Sequence, residues 1–187
     1  MRIAGVDEVG RGPLAGPVVA AAVILPDMPV IPGLADSKSL TAKRRQELTR
    51  QIKRYALSWA VAEVSVTEID QLNIFHASLL AMKKAVLSLK TQPDKLMIDG
   101  KFVPPGLALP AEAIVKGDTK IAAISAASII AKVYRDQKMC DLAGDYPCYG
   151  FDQHKGYPTR RHLVALQTYG YCPVHRKSFK PVSTMIG

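Results

Sequence analysis

Short apolar runs alternate along the chain with segments whose apolar residues recur at helical spacing. The runs are partly β-branched and bounded by polar or glycine-containing turns, which predicts strands at 3–9, 17–25, 57–66, 95–100 and 113–116. The helical spacing predicts helices over 41–54, 67–73, 76–89 and 117–140. Because the early strands follow through short links and the later ones alternate with helices, we expect an α/β fold with a mixed five-stranded sheet flanked by helices.

The length and composition fit one compact globular unit. Of the 187 residues, 48% are hydrophobic and 22% charged, so the chain can bury a real core and is not of the disordered class. From about residue 144 the sequence becomes richer in aromatic and basic residues. We therefore predict a core over 1–143 and a small helical extension over 144–187 that binds substrate, both within one unit.

The charge and the cysteine content indicate which class of partner the protein binds and which cellular compartment it occupies. Twenty-five Lys and Arg oppose sixteen Asp and Glu, a net charge of +9, which favours an anionic partner such as nucleic acid. Three cysteines without a Cys-x-x-Cys spacing argue for reduced thiols and against a zinc site. There is no long apolar run and no charged leader before an apolar stretch. We expect a cytoplasmic protein, with no membrane partner, that acts as a monomer.

Two adjacent acids interrupt the C-terminal end of the first predicted strand. Burying Asp7 and Glu8 side by side is costly unless a positive charge compensates, and the strand itself supplies none. A divalent cation would compensate both. In the Gly10-Arg11-Gly12 segment that follows, the glycines lack side chains, so a ligand can approach the backbone closely, and the Arg11 guanidinium can bind a phosphate. The alternative is that the acid pair only begins a solvated turn.

Two further acids occur where other predicted elements meet. Asp99 ends the fourth strand and Asp118 precedes the last long helix, so both can join Asp7 and Glu8 at one end of the sheet. Such an oxygen-rich site suits Mg²⁺ or Mn²⁺, and two ions can assist cleavage of a phosphodiester. Singly, Asp99 can instead belong to an Asp-Gly turn, and Asp118 can be a helix N-cap. Because neighbouring strand residues face opposite ways, we expect Asp7 to bridge the ions and Glu8 to contribute less directly.

The last long helix and the tail carry candidate nucleic-acid contacts. Starting from Asp118, residues at successive spacings of seven, three, four and three lie on one face of that predicted helix: Ser125, Ser128, Lys132 and Arg135. The tail interleaves cations such as Lys155, Arg160 and Arg176 with Tyr146, Tyr149, Phe151, Tyr157, Tyr169, Tyr171 and Phe179. Rings stack on sugars or bases while cations neutralise phosphates. Alternatively, the serines permit close helix packing and the tyrosines pack on the core. His154, His162 and His175 lack metal-binding spacing, and we interpret them as surface or substrate-contact residues.

Several distinctive segments are spread across essentially the whole chain. They are GVDEVGRGPLAGPV at 5–18, DSK at 36–38, IDG at 98–100, KGD at 116–118, SAASIIAKVYRD at 125–136, HKGY at 154–157 and RKSFKPV at 176–182. Together, and in this order, they strongly resemble the ribonuclease HII family, the type 2 ribonuclease H family of bacteria.

The resemblance implies a ribonuclease H-like fold and an endonuclease that cuts RNA within RNA/DNA duplexes. It also implies cleavage on the 5′ side of single ribonucleotides embedded in DNA, leaving 5′-phosphate and 3′-hydroxyl ends. By position, the acids Asp7, Glu8, Asp99 and Asp118 match the family's metal-binding and catalytic residues. Gly10, Arg11 and Gly12 match the motif whose backbone senses the ribose 2′-hydroxyl, and Tyr157 matches a tyrosine that packs on the sugar.

We expect further substrate contacts from Lys38, Ser125, Lys132 and Lys155. Two alternative functions stay open at this point. A DNA nuclease or resolvase on the same scaffold would not need to approach a 2′-hydroxyl. A non-catalytic nucleic-acid-binding module would bind through the basic tail, but this function does not explain why the acids cluster.

Overall fold

A computed structural model describes residues 1–27, 31–34 and 40–186. Its centre is a five-stranded sheet of β1 (Ile3–Val9), β2 (Val18–Ile24), β3 (Ser58–Val64), β4 (Lys95–Asp99) and β5 (Ala111–Ile114). The strand order is β3-β2-β1-β4-β5. The outer pair β2 and β3, and the pair β1 and β2, are antiparallel, whereas β4 runs parallel to both β1 and β5. The predicted mixed α/β sheet is therefore confirmed.

The helices within the described ranges are α1 (Ala42–Tyr55), α2 (Val66–Leu72), α3 (Ile74–Leu87), α4 (Ala122–Asp145), α5 (Phe151–His154) and α6 (Arg160–Tyr169). Helices α1 to α3 follow the predicted ranges closely, whereas α4 both starts and ends later than predicted. Thr41 caps α1 by accepting a hydrogen bond from the Arg44 N–H, and Ser65 forms a capping box with Glu68 at α2.

The start of α4 lies later than the sequence pattern predicts. Residues Gly117–Thr119 form a separate 3-10 turn, and α4 begins at Ala122 after the extended residue Ile121. Asp118 is therefore not the N-cap of α4, and the alternative that assigned it only that role is wrong. The 3-10 turn instead places Asp118 shortly after β5, which ends at Ile114, and beside Asp99 at the end of β4.

The sheet is buried on both faces. One face packs against α3 through residues such as Val6, Leu96 and Met82, and the other packs against α1 and α4 through residues such as Leu48 and Ile130. Every side chain of β2 is buried, since this strand lies inside the sheet with helices on both sides.

Close contact between β1 and α4 depends on a glycine. A Cβ atom at Gly5 would lie 2.1 Å from the backbone carbonyl carbon of Ala123 and 2.2 Å from the backbone nitrogen of Ile124. No side chain fits there, because ordinary contacts to a Cβ begin near 3.4 Å. The strand that carries Asp7 and Glu8 is thus held directly against the helix that follows Asp118.

The C-terminal residues pack back onto the loop after β1. The Leu14 N–H donates to the Gly156 carbonyl, and the Arg176 N–H donates to the Leu14 carbonyl, each at 2.8 Å. The predicted division at residue 144 falls inside α4, which continues to Asp145, and it stays a prediction. None of the helices in the described ranges is long and apolar enough to cross a membrane.

Candidate active site

The acids that the sequence singled out lie at one end of the sheet. Strands β1 and β4 are parallel neighbours, and their pairing of Val6 with Ile98 leaves Asp7 and Asp99 as the next residues of each strand. Asp118 is next to them, since its N–H lies 3.3 Å from Asp99 Oδ1 and donates to it. Glu8 follows Asp7 in a strand that pairs regularly with β2 through Val9, without a bulge. Residues far apart in sequence therefore meet here.

Burial and mutual repulsion disfavour the charged forms of the first two acids. The side chain of Asp7 is 6% exposed, and this burial, followed by the charges of Glu8 and Asp99, raises its pKa well above the usual value. Hydrogen bonds from Ser128 and from the Glu8 N–H, the latter at 2.7 Å, oppose that rise. Burial also raises the pKa of Glu8, although Arg11, with Nη1 3.8 Å from Glu8 Oε1, opposes the shift.

The donor set suits a divalent cation. Within the described residues, Glu8 Oε2 is buried without a hydrogen-bond partner, and an unpaired buried carboxylate oxygen is costly. A hard cation would compensate a buried carboxylate oxygen of this kind. In residues 1–27, 31–34 and 40–186, however, no three His, Cys, Asp or Glu side chains are already gathered as metal ligands. Binding a cation through three or more of the acids therefore requires side-chain rotation toward it.

The Gly10-Arg11-Gly12 loop lies beside these acids and beside Tyr157. Gly10 has a φ of +92°, a conformation that favours glycine, and a Cβ there would lie 2.2 Å from Arg135 Nε. Arg11 and Gly12 are exposed. The Tyr157 ring is 37% exposed, and its Cε1 lies 3.6 Å from where a Gly12 Cβ would be. Loop and ring thus form one continuous surface next to Glu8.

Arg176 contacts this loop from the protein interior, whereas the sequence pattern predicts that it lies on a basic, solvent-exposed surface. That prediction is wrong, because Arg176 is completely buried. Its guanidinium donates three hydrogen bonds to backbone carbonyls: Nη2 to Gly10 at 2.6 Å, Nη1 to Arg11 at 3.0 Å and Nε to Gly16 at 3.0 Å. Burial lowers its pKa to about 9, so Arg176 remains a cation at neutral pH.

Arg135 plays a similar role for the next part of the chain. It also is completely buried, so its predicted position on a phosphate-facing helix surface is wrong. Its guanidinium donates to the carbonyls of Ala15 at 3.0 Å, Pro17 at 2.9 Å and Lys155 at 2.9 Å. It therefore joins the segment after the loop to the segment that leads into Tyr157.

The three C-terminal histidines form a buried network, which corrects their interpretation as surface or substrate-contact residues. The Cys172 N–H donates to His175 Nδ1 at 3.0 Å, His175 and His162 share a hydrogen bond between their Nε2 atoms at 2.9 Å, and His162 Nδ1 lies 3.0 Å from the Tyr157 carbonyl. The His154 ring stacks on His162 with centroids 4.4 Å apart. Burial lowers the pKa of all three, to about 4 for His175. The network supports the backbone of Tyr157.

The other predicted substrate contacts are occupied within the protein or fall outside the described residues. The Ser125 hydroxyl is buried and donates to the Leu34 carbonyl. Lys132 pairs with Asp136 at 2.7 Å. Lys155 donates to the Asp152 carbonyl, and its Nζ lies 3.3 Å from Cys140 Sγ. Lys38 lies outside the described residues. The substrate contacts of these four residues stay predictions.

The aromatic residues of the tail differ in burial, with Tyr146 and Phe179 partly buried. Tyr149 and Phe151 are buried and stacked on each other, with ring centroids 5.3 Å apart, so for these two the packing alternative is correct. Tyr157, Tyr169 and Tyr171 are exposed, and Lys177 Nζ lies 5.9 Å from the centroid of the Tyr171 ring. Exposed rings with nearby cations are the combination that nucleic-acid surfaces use.

Comparison with known proteins agrees with the features of this site. A family model described as Ribonuclease HII matches residues 4–182. The ribonuclease HII of Acidovorax sp. (strain JS42) is 59% identical over 97% of this chain and 86% of its own length, and that of Chromobacterium violaceum is 57% identical over 100% and 94%. The crystal structure of ribonuclease H2 from Pyrococcus horikoshii is similar with a TM-score of 0.85 at 28% identity, covering 99% of this chain and 97% of that one.

Proposed function

The chain belongs to the ribonuclease HII family and is an endoribonuclease acting on RNA/DNA hybrids; from this premise we propose that it also cuts duplex DNA on the 5′ side of a single embedded ribonucleotide. The products have 5′-phosphate and 3′-hydroxyl ends. One observation carries the proposal. Acids on the neighbouring strands β1 and β4, the exposed residues Arg11 and Gly12, and the half-exposed ring of Tyr157 lie side by side.

In this proposal, Asp7, Glu8, Asp99 and Asp118 hold Mg²⁺ or Mn²⁺, with two ions per site during catalysis. The burial of Asp7, the unpartnered Oε2 of Glu8 and the hydrogen bond between the Asp118 N–H and Asp99 support this assignment. When bound, such cations supply Lewis-acid activation of the attacking water and neutralise charge at the scissile phosphate. Asp7 is the central acid, because it is the most deeply buried and interacts with both Glu8 and Asp99.

The loop and the tyrosine would supply recognition of the ribonucleotide. The 2′-hydroxyl is the group that distinguishes RNA from DNA at a single residue, and it can both donate and accept a hydrogen bond. Arg11 and Gly12 are exposed residues beside the acids, and their backbone would contact that hydroxyl. The Tyr157 ring lies against Gly12 and can pack on the sugar. This arrangement would align the phosphate 5′ of the ribonucleotide with the acids.

The remaining surface would hold the rest of the duplex. The net charge of +9 and the exposed rings of Tyr169 and Tyr171 favour contacts with phosphates and sugars that do not depend on base sequence. In this proposal the protein acts on these duplexes as a monomer in the cytoplasm.

Cleavage mapping tests the proposal directly. Three end-labelled duplexes are compared with Mg²⁺, with Mn²⁺ and with EDTA: an RNA/DNA hybrid, DNA with one ribonucleotide, and all-DNA. The expected result is a single cut 5′ of the ribonucleotide that needs a divalent cation, and no cut in all-DNA. Equal cleavage of all-DNA would favour a DNA nuclease or resolvase. Salt-dependent binding without products would favour a non-catalytic binding module.

A further inference from the structure

Among the residues that the structure describes, the buried Arg176 guanidinium donates hydrogen bonds only to backbone carbonyls. Taking a guanidinium out of water is costly unless its donors are satisfied, so a completely buried one needs well-placed acceptors. Here Nη1 and Nη2 form a fork on two consecutive peptide groups, those whose carbonyls belong to Gly10 and Arg11. A planar fork fixes two acceptors at once, which the single ammonium of a lysine does not do.

The fork determines where the opposite sides of these peptide groups point. In a planar trans peptide, the carbonyl of one residue and the N–H of the next point in opposite directions. The carbonyls of Gly10 and Arg11 point inward to the guanidinium, so the N–H groups of Arg11 and Gly12 point away from it. Within residues 1–27, 31–34 and 40–186, neither N–H donates to another backbone group. Both residues are exposed.

We propose that Arg176 is a positioning residue for recognition of the ribonucleotide: by holding the Gly10 and Arg11 carbonyls inward, it presents the Arg11 and Gly12 amides as a pair of donors to the ribose 2′-hydroxyl. This inference rests on the proposed function of the loop. Arg176 does not itself touch the substrate, because it is completely buried. It acts on specificity through the orientation of two peptide groups.

The position of Gly10 strengthens the assignment. Its φ of +92°, and the 2.2 Å that would separate a Cβ at this position from Arg135 Nε, mean that the loop approaches the buried guanidinium groups closely and in one conformation. Without the Arg176 guanidinium, the carbonyls of Gly10 and Arg11 would lose the hydrogen bonds that hold the two peptide groups in this orientation. The donor pair would then no longer be preformed.

The backbone around Arg176 is anchored independently of its guanidinium. The Arg176 N–H donates to the Leu14 carbonyl at 2.8 Å. Asp70 accepts hydrogen bonds from the N–H groups of Lys177 at 3.0 Å and Ser178 at 2.9 Å. A change of the Arg176 side chain therefore leaves the tail attached. Asp70→Asn, which weakens this anchor without changing the fork, is the matched control for a merely structural effect.

The test measures binding preference in EDTA, so that no strand is cut. Fluorescence anisotropy gives the Kd of each protein for a duplex with one ribonucleotide and for the same all-DNA duplex. For the wild type we expect a preference of about tenfold, the value of one or two good hydrogen bonds. In Arg176→Lys we expect the preference to fall below about twofold, while the Kd for all-DNA stays within about twofold of the wild type. Asp70→Asn should keep the wild-type preference.

A second variant keeps the test decisive if Arg176→Lys does not fold. Ligation of a synthetic peptide at Cys172 introduces Arg176→citrulline, a neutral group of the same shape that retains one Nη donor. It should lose the preference as the lysine variant does. A folded variant at position 176 that keeps the full preference would overturn the inference, as would a parallel loss for both duplexes that Asp70→Asn reproduces. A wild type that binds both duplexes equally would instead overturn the proposed function, and this inference with it.

Discussion

The contact between β1 and α4 gives a sharp prediction about a single methyl group. In Gly5→Ala the new Cβ would lie 2.1 Å from the carbonyl carbon of Ala123 and 2.2 Å from the nitrogen of Ile124. These are backbone atoms of a helix, so no side-chain rotation relieves the overlap. Restoring an ordinary contact of 3.4 Å requires strand and helix to separate by about 1.3 Å.

The cost of that separation can be estimated from overpacked cores. Insertion of an extra methyl group into a packed interior typically costs about 1–3 kcal/mol, and a rigid backbone contact belongs at the upper end. For a chain of this length, about 3 kcal/mol lowers Tm by roughly 6–12 °C. Because β1 carries Asp7 and Glu8, we also expect cleavage to fall, since small displacements of reacting groups are costly.

Urea denaturation and a thermal melt, both followed by circular dichroism, measure the effect. Gly144→Ala is the matched control, because Gly144 lies near the end of α4 and a Cβ there would have nothing within 4 Å of it. That substitution should stabilise the protein by up to about 1 kcal/mol through helix propensity. An unfolding free energy of Gly5→Ala within about 0.5 kcal/mol of the wild type would refute the packing described here.

Three further predictions concern the site and its supports. Asp7→Asn should reduce cleavage by about a thousandfold or more while the protein still binds the duplex. The same substitution should raise the Tm in EDTA, because burial and then the charges of Glu8 and Asp99 oppose ionisation of Asp7. Tyr157→Ala should slow cutting at a lone ribonucleotide by about tenfold without lowering Tm by more than a few degrees; normal cutting would contradict its role. Burial lowers the pKa of His175 to about 4, so below about pH 6.5 this histidine binds a proton in the unfolded chain but not in the native state. The unfolding free energy should therefore decrease as the pH is lowered from about 6.5 to about 4. In urea titrations, His175→Gln should make this decrease smaller.

Much of the fold is predictable because hydrophobic periodicity is local. The run over 3–9 is strand β1 without change, and Thr41 caps α1 as the sequence indicates. The acids follow from the same pattern, since the parallel pairing of neighbouring strands brings Asp7 of β1 beside Asp99 at the end of β4, and Asp118 follows β5. Boundaries next to the site are less accurate. The segment at 117–119, predicted to begin the last long helix, forms a 3-10 turn that ends before α4 begins.

The buried polar supports could not be predicted, because they depend on partners far away in the sequence. Arg176 hydrogen-bonds the carbonyls of Gly10 and Arg11, and nothing in the local sequence distinguishes it from a solvated tail arginine. The same holds for Arg135, whose acceptors include the carbonyl of Ala15. His162 and His175 likewise satisfy each other only after the tail has folded. Backbone carbonyl acceptors leave no signature in the amino-acid types.

The proposed chemistry requires four acids from separate elements to hold divalent cations next to the ribonucleotide. A crystal of the protein with Mn²⁺ and a duplex bearing one ribonucleotide, recorded at the manganese edge, measures this directly through anomalous difference density. We expect manganese peaks within coordination distance of Asp7 and of at least two among Glu8, Asp99 and Asp118, beside the phosphate 5′ of the ribonucleotide. Manganese bound elsewhere, or touching Asp7 alone, would contradict the proposed site.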